Sequence, residues 1–502
     1  MRIILLAFAS FVLILVPAQA GTKQSKIVYD AWDVSYLEGN RAGYSHTFVE
    51  EYTEEGKKLY RATTELRLNV KRSGTIVKLA MDTGNIETSD GTVVGIFTRQ
   101  FLGTKKTLDI SGKIVDKKLR LVLDKTKQLA PVPWDGNVTS LYKQQTIFRD
   151  KKVEPGTTFV YRGFEPSINL VVTNAVKVQN YEKVELLGKM SDEKLLRVQI
   201  TPEKIQTLQL PTLTVWLDAK GTPLRSETQV PGIGKMVQYR GTKQLALRPG
   251  ALARTTDVIL NQVIKLKRRL ANPYKIRRAV YQIETKGLDN PTSAFMSSPI
   301  QTIKNAKGNT FEMHVDAAAP FVTKERQKSV DKKYLSSSYF INCKDARVKQ
   351  FAKKAVGGAR DSWLKATRIE KWVKSRMRPN NAEAMAPADH VAKTLTGDCS
   401  EFAMLMTAMC RAEQVPARTA IGLIYANIKG QPAFAFHMWT EVFVHGRWFP
   451  LDATLGQGYV GATHLKVTHH DWDDVRSLTP LLPVIQVVGK MKIQVLQTST
   501  PK

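Results

Sequence analysis

Over much of its first half the chain alternates polar and apolar positions. The stretches ATTELRLNVKR (62–72), LDISGKI (108–114), LRLVLD (119–124) and LTVWLDAKGTPLRSETQV (213–230) repeat with a period of two, as half-buried strands do. Turn signals separate such runs: Glu38-Gly39-Asn40-Arg41, Ser89-Asp90-Gly91 and Ala219-Lys220-Gly221. Residues 21–247 therefore read as an all-β antiparallel domain, one large sheet or open barrel, with no nucleophile, metal cluster or phosphate loop. Leu247-Arg248-Pro249-Gly250 punctuates its end.

Residues 248–340 read as a connector. Positions 256–270 have the spacing of a short basic amphipathic helix, which Asn272-Pro273 stops. IRRAVYQIE and NTFEMHV then predict strands of a small β region. From Ile341 the period lengthens. Helices are predicted over 346–357, 362–377 and 398–413; the second turns Trp363, Ile369, Trp372 and Val373 inward, and the third Phe402, Leu405, Met406 and Met409. Strands follow at 417–425, 438–444, 448–452 and 483–495. Helices followed by an antiparallel sheet make 341–502 an α+β unit.

A chain of 502 residues exceeds what one hydrophobic core usually serves. Its first 20 residues stand outside the fold: Arg2, an apolar run from Ile3 to Val16, then Pro17-Ala18-Gln19-Ala20. That is the layout of a secretory signal. A mature chain beginning near Gly21 is expected in a periplasm or outside the cell, with no membrane span. The 3 cysteines, Cys343, Cys399 and Cys410, are too few for a disulfide framework. On one helix, Cys399 and Cys410 would be separated by about 16 Å of rise, too far for a bridge. The formal charge is +30, densest over KLKRRLANPYKIRR at 265–278. Such a field favours anionic partners. In an exported protein these are envelope polymers or membrane surfaces rather than nucleic acid.

The candidate chemistry begins at Gly397-Asp398-Cys399-Ser400-Glu401. Gly397 allows a sharp approach to the helix and Asp398 is a favoured cap, so Cys399 falls in the first turn. A helix N-terminus favours the thiolate, the nucleophilic form. Cys410, in mid-helix among Met and Ala, reads as a buried structural thiol. Further on, Val444-His445-Gly446-Arg447 reads as a hairpin with a two-residue loop. Paired positions then sum to about 891 in this register. Asp452 falls opposite Trp439, and His437, two residues away, lies on the same face and diagonal to Asp452. The register thus brings a histidine and an aspartate together, as nucleophilic catalysis by Cys399 would need: a base to take the thiol proton and a carboxylate to orient that base.

GDCSEFAMLMTAMCRAEQVPARTAIGL, FHMWTEVFVHGRWFPLDATLGQG and ATHLKV together resemble the core of the transglutaminase-like superfamily, a branch of the papain-like cysteine enzymes. The resemblance covers roughly residues 341–480 and maps the catalytic triad onto Cys399, His437 and Asp452. It implies acyl chemistry at amides, by a protease, amidase or acyltransferase working through a thioester, on a protein or peptide substrate. No cofactor is implied, and no calcium dependence. Papain-type enzymes place a Gln before the nucleophile as an oxyanion donor; 391–396 contains none. The Cys399 backbone N–H is one available donor. Some members are inactive, so a catalytically silent binding or scaffold protein of the cell envelope is the alternative. His464, His469, His470, Asp471, Asp473 and Asp474 fit no closed zinc pattern and read as a polar loop rather than a metal site. Glu401 and Glu441 read as structural hydrogen-bonders, and Trp439 and Trp448 as candidate walls of a substrate cleft.

Overall fold

A computed structural model describes residues 25–500 except 73, 103–104, 126, 167, 206–208, 231–233, 251–256, 258–262, 289, 299, 318–328, 382–384, 474–481 and 488–489. The expected signal segment lies outside the described residues.

The alternating first half forms one antiparallel sheet of 15 strands. Lys26–Leu37 lies mid-path between Asn40–Glu54 and Gly234–Gly241. Sequential hairpins run outward from each side, ending at Thr158–Glu165 and at Lys127–Gln128. The turn at Glu38-Gly39 takes positive φ at both residues, which is what the signal there predicts. The all-β expectation thus holds. One element escapes it: Leu141–Lys151 is a helix, capped by Ser140, that buries Ile147 and Phe148 against Val176, Val198 and Val215. With so few apolar positions, its period is faint.

The connector departs from expectation. Ile264–Lys265, inside the predicted helix, is a short strand that pairs with Phe434 and Ala433. Burial alternates there: Ile264 and Leu266 point inward, Lys265 and Lys267 outward. A two-residue period placed beside an available strand edge outweighs the helical reading. Residues 251–256 and 258–262 of that predicted helix lie outside the described residues. The two predicted connector strands form as Arg278–Thr285 and Thr310–Asp316. The C-terminal strand, expected over 483–495 in the same sheet as the candidate histidine, is instead Met491–Ser499, preceded by a short helix, Leu482–Val487. It pairs with Arg278–Thr285 in a four-stranded sheet. Tyr281, fully buried, donates to the Ala462 carbonyl at 2.8 Å. One hydrophobic core runs from Ile264 to Val495 through both regions.

The three predicted helices form as Ala346–Val356, Ser362–Arg376 and Cys399–Ala412, and a fourth, Ala388–Thr394, lies between the last two. The five-stranded sheet beside them runs Ile264–Lys265, Gln431–Val444, Ala417–Ile428, His464–His470, with Arg447–Leu451 also on Gln431–Val444. Among the described residues, no helix is long and apolar enough to cross a membrane.

Gly422 sits opposite both His437 and Lys466 in this sheet. A Cβ there would lie 2.1 Å from the Leu465 carbonyl oxygen. Gly422→Ala must push two central strands apart, so it should lower the unfolding free energy by about 1–3 kcal/mol. Denaturant titration checks this; an unchanged midpoint would refute the close approach.

Candidate active site

The turn that carries Cys399 is built from its capping residues. Asp398 Oδ1 accepts from Ser400 N at 2.8 Å, and Glu401 Oε2 accepts from Asp398 N at 2.9 Å, a reciprocal capping box. Glu401 Oε1 also accepts from Ala386 N at 2.7 Å, tying the turn to the neighbouring loop. Burial, then the Asp398 charge, pushes Glu401's pKa well up. Gly397 has a φ of +154°, and a Cβ there would meet Glu401 Cβ at 2.2 Å, so only glycine fits. Cys399 is the first helical residue and is partly exposed, while Cys343 and Cys410 are buried; none of the three is in a disulfide. Burial pushes the Cys410 thiol far up.

His437 and Asp452 meet through the hairpin. His445 and Gly446 both take positive φ, and Val444 pairs with Arg447 through to Thr440 with Leu451, the register the turn predicts. Asp452 follows directly. His437 Nε2 donates to Asp452 Oδ2 at 2.8 Å, and the ring also hydrogen-bonds Cys399. The counted register places His437 beside Asp452, and Cys399 adjoins them here.

Burial opposes a charge on His437, but the Asp452 charge and the hydrogen bonds with Asp452 and Cys399 outweigh it and lift its pKa to about 10. Burial alone would raise Asp452; the His437 charge and the hydrogen bonds from His437 and His464 reverse this and hold it far below the usual carboxylate range. Both shifts favour an imidazolium on His437 beside an ionised Asp452. An imidazolium beside a cysteine is the partner a thiolate needs.

Three supports were not foreseen in these roles. His464 Nε2 lies 3.1 Å from the same Asp452 Oδ2. Thr454 donates to Asp452 Oδ1 through N at 2.9 Å and Oγ1 at 2.6 Å. Glu370, fully buried, accepts from Asp452 N at 3.1 Å and Gly458 N at 2.8 Å. Glu370 left a sequence signal, a carboxylate beside Ile369 on the stripe its helix turns inward. His464 belongs to ATHLKV but read as part of a polar loop.

The expected polar loop is in part a strand: His464, His469 and His470 lie on His464–His470, paired with Ala417–Ile428, and those of the group other than His464 have separate partners. His469 Nε2 lies 3.0 Å from Arg418, His470 Nδ1 accepts from Trp472 N, and Asp471 pairs with Lys333; Asp474 lies outside the described residues. His437, Asp452 and His464 do bring one donor atom each within 4.8 Å of one another. Hydrogen bonds of 2.8 and 3.1 Å to one carboxylate oxygen account for that spacing.

Glu441 is buried between Lys466, at 2.7 Å from each oxygen, and Arg418 Nε at 2.7 Å. Burial would raise its pKa, but these two cations outweigh burial and lower it. The Arg418 guanidinium stacks 3.8 Å over Trp448. Trp448 thus packs in this cluster. Trp439 is 3% exposed and stacks on His437.

Residues 349–453 match the family model of the transglutaminase-like superfamily; the chain carries a transglutaminase-like domain. Among solved structures it is similar to a candidate cysteine protease from Cytophaga hutchinsonii, at 16% identity and a TM-score of 0.30, covering 45% of this chain and 85% of that one. It is also similar to a β-barrel-like protein with a domain of unknown function from Brucella abortus, at 14% and 0.32, covering 42% and 94%. A candidate protease from Parabacteroides distasonis matches at 10% and 0.20, covering 76% and 69%. No curated protein matches the chain.

Burial and the Asp452 charge push the Glu370 pKa up to about 8. A carboxyl raised on folding contributes stability that is full below its ordinary value, near 4.5, and is lost as pH rises through 8. Glu370→Gln should remove that slope between pH ~5 and ~8. It should also cost about 1–3 kcal/mol at pH 5, because one N–H loses its acceptor. Denaturant unfolding at pH 5, 7 and 9 checks both; parallel curves for the two proteins would refute the assignment.

Proposed function

We propose that this protein is an exported cysteine-dependent enzyme that attacks peptide or side-chain amide bonds. The observation that carries the reading is His437, bonded at once to Asp452 and to Cys399. The Cys399 thiolate adds to the amide carbonyl while the first-turn backbone N–H of the helix faces the developing oxyanion. The tetrahedral adduct collapses, His437 gives its proton to the departing amine, and a thioester on Cys399 remains. Water or a second amine then takes the acyl group, His437 accepting the incoming nucleophile's proton. Water makes the enzyme a protease or amidase, an amine makes it an acyltransferase.

Export is supported by the charge, apolar run and small-residue site of the first twenty residues. The exposed side chains of Lys265, Lys267, Arg268 and Arg269, with the net charge of +30, support an anionic envelope polymer as the surface near which peptide substrates are met.

Iodoacetamide alkylation of Cys399, followed by peptide mass spectrometry across pH, tests the reading. The rate should inflect well below the ~8.5 of an ordinary thiol and fall at least about tenfold at neutral pH in His437→Ala. Slow alkylation with the same profile in that variant would overturn the enzyme reading and favour a silent binding protein.

A further inference from the structure

The catalytic carboxylate has a second imidazole on it. His464 opens the strand His464–His470, where its backbone N–H donates to the Gly461 carbonyl. Its side chain is 1% exposed. Its Nε2 lies 3.1 Å from Asp452 Oδ2, the oxygen that His437 Nε2 reaches at 2.8 Å. The two rings are 5.6 Å apart, and Trp439 packs edge-on against His464 at 5.3 Å. Its other nitrogen, Nδ1, is buried with no hydrogen-bond partner among the described residues.

These contacts fix its protonation. With Nδ1 facing no acceptor, a proton there would be a buried orphan donor. With Nε2 facing a carboxylate, the proton belongs on Nε2. The ring is therefore neutral and donates one hydrogen bond. Burial works in the same direction, disfavouring the charged form. A leucine would fill the same space without stranding a nitrogen. What the imidazole adds is its donor.

We propose that His464 is a positioning residue: as a neutral Nε2–H donor it locks the Asp452 carboxylate in the orientation that holds His437 against Cys399. Thr454 fixes Oδ1; without His464, Oδ2 would be held only by the group it must orient, and the carboxylate could turn. A cation at 464 would fix Oδ2 too, but would also neutralise the charge that keeps His437 protonated. A neutral donor orients without competing. The charged or titratable groups around His464 are Asp452 and His437, with the Lys466–Glu441 pair two residues along its strand.

The inference rests on Cys399 and His437 acting as the catalytic pair, and the test separates the two. Cys399 alkylation is measured across pH in wild type, His464→Leu and His464→Gln. The leucine variant should alkylate at least about tenfold more slowly at neutral pH, with the alkaline limb of the profile, where His437 loses its proton, moved to lower pH. Glutamine, a neutral donor of similar reach, should recover the rate to within about threefold. A merely structural His464 would lower thermal stability in both variants and leave the profile unmoved. An activated wild-type profile that the leucine variant shares overturns this inference alone; a wild type without activation overturns the enzyme reading itself. Should the leucine variant fail to fold, ¹⁵N NMR of the wild-type histidines decides. At pH 7 to 9 His464 should be neutral with its proton on Nε2; a neutral ring with the proton on Nδ1, or an imidazolium at pH 7, would refute the proposal.

Discussion

Asp452 carries its charge where water is almost absent, and it is tolerated there because both oxygens are occupied by donors. His437 and His464 take one oxygen and Thr454 takes the other twice. A carboxylate so placed favours the imidazolium form of His437. Each neighbour contributes a constraint. Glu370 fixes the backbone where the aspartate leaves its strand, and Gly422 lets two strands close beneath the histidine. Tyr281 ties the four-stranded sheet to the segment just before His464. That sheet includes the C-terminal strand, so residues far apart in the chain share one core with the site.

The same logic recurs in the surroundings. Glu441, Lys466 and Arg418 bury two cations on one carboxylate, and Trp448 covers the guanidinium. Removing either partner of such a group would leave a buried charge uncompensated. The group links three strands of the sheet that carries His437, and so limits how far that strand can slide. At Cys399, Glu401 closes the capping box and reaches the neighbouring loop. The turn that presents Cys399 is thereby held by hydrogen bonds, while Cys399 itself packs against the core.

What could be read from the sequence follows from how local each determinant is. The hairpin register at Val444-His445-Gly446-Arg447 is a two-residue matter, so the meeting of His437 and Asp452 could be counted from it. The cap at Asp398 is equally local. The strand Ile264–Lys265 was misread because the apolar residues of 256–270 suit a helix and a strand alike; the edge of a strand some 170 positions further on decides between them, and nothing local reports that edge. The C-terminal strand was assigned to the wrong sheet for the same reason, since its partner Arg278–Thr285 is fixed by tertiary packing. His464 and Glu370 were visible as residue types, but their roles depend on a carboxylate that only folding brings to them.

The charge state of His437 at neutral pH is the point on which this account turns. A titration of the ¹⁵N-labelled histidines by NMR, in wild type and Asp452→Asn, measures it directly. The imidazolium should persist through neutral pH and titrate at about 10 in wild type, falling toward the ordinary ~6.5 once the carboxylate is neutralised. A His437 that titrates near 6.5 in both proteins would contradict the ion pair and the chemistry built on it.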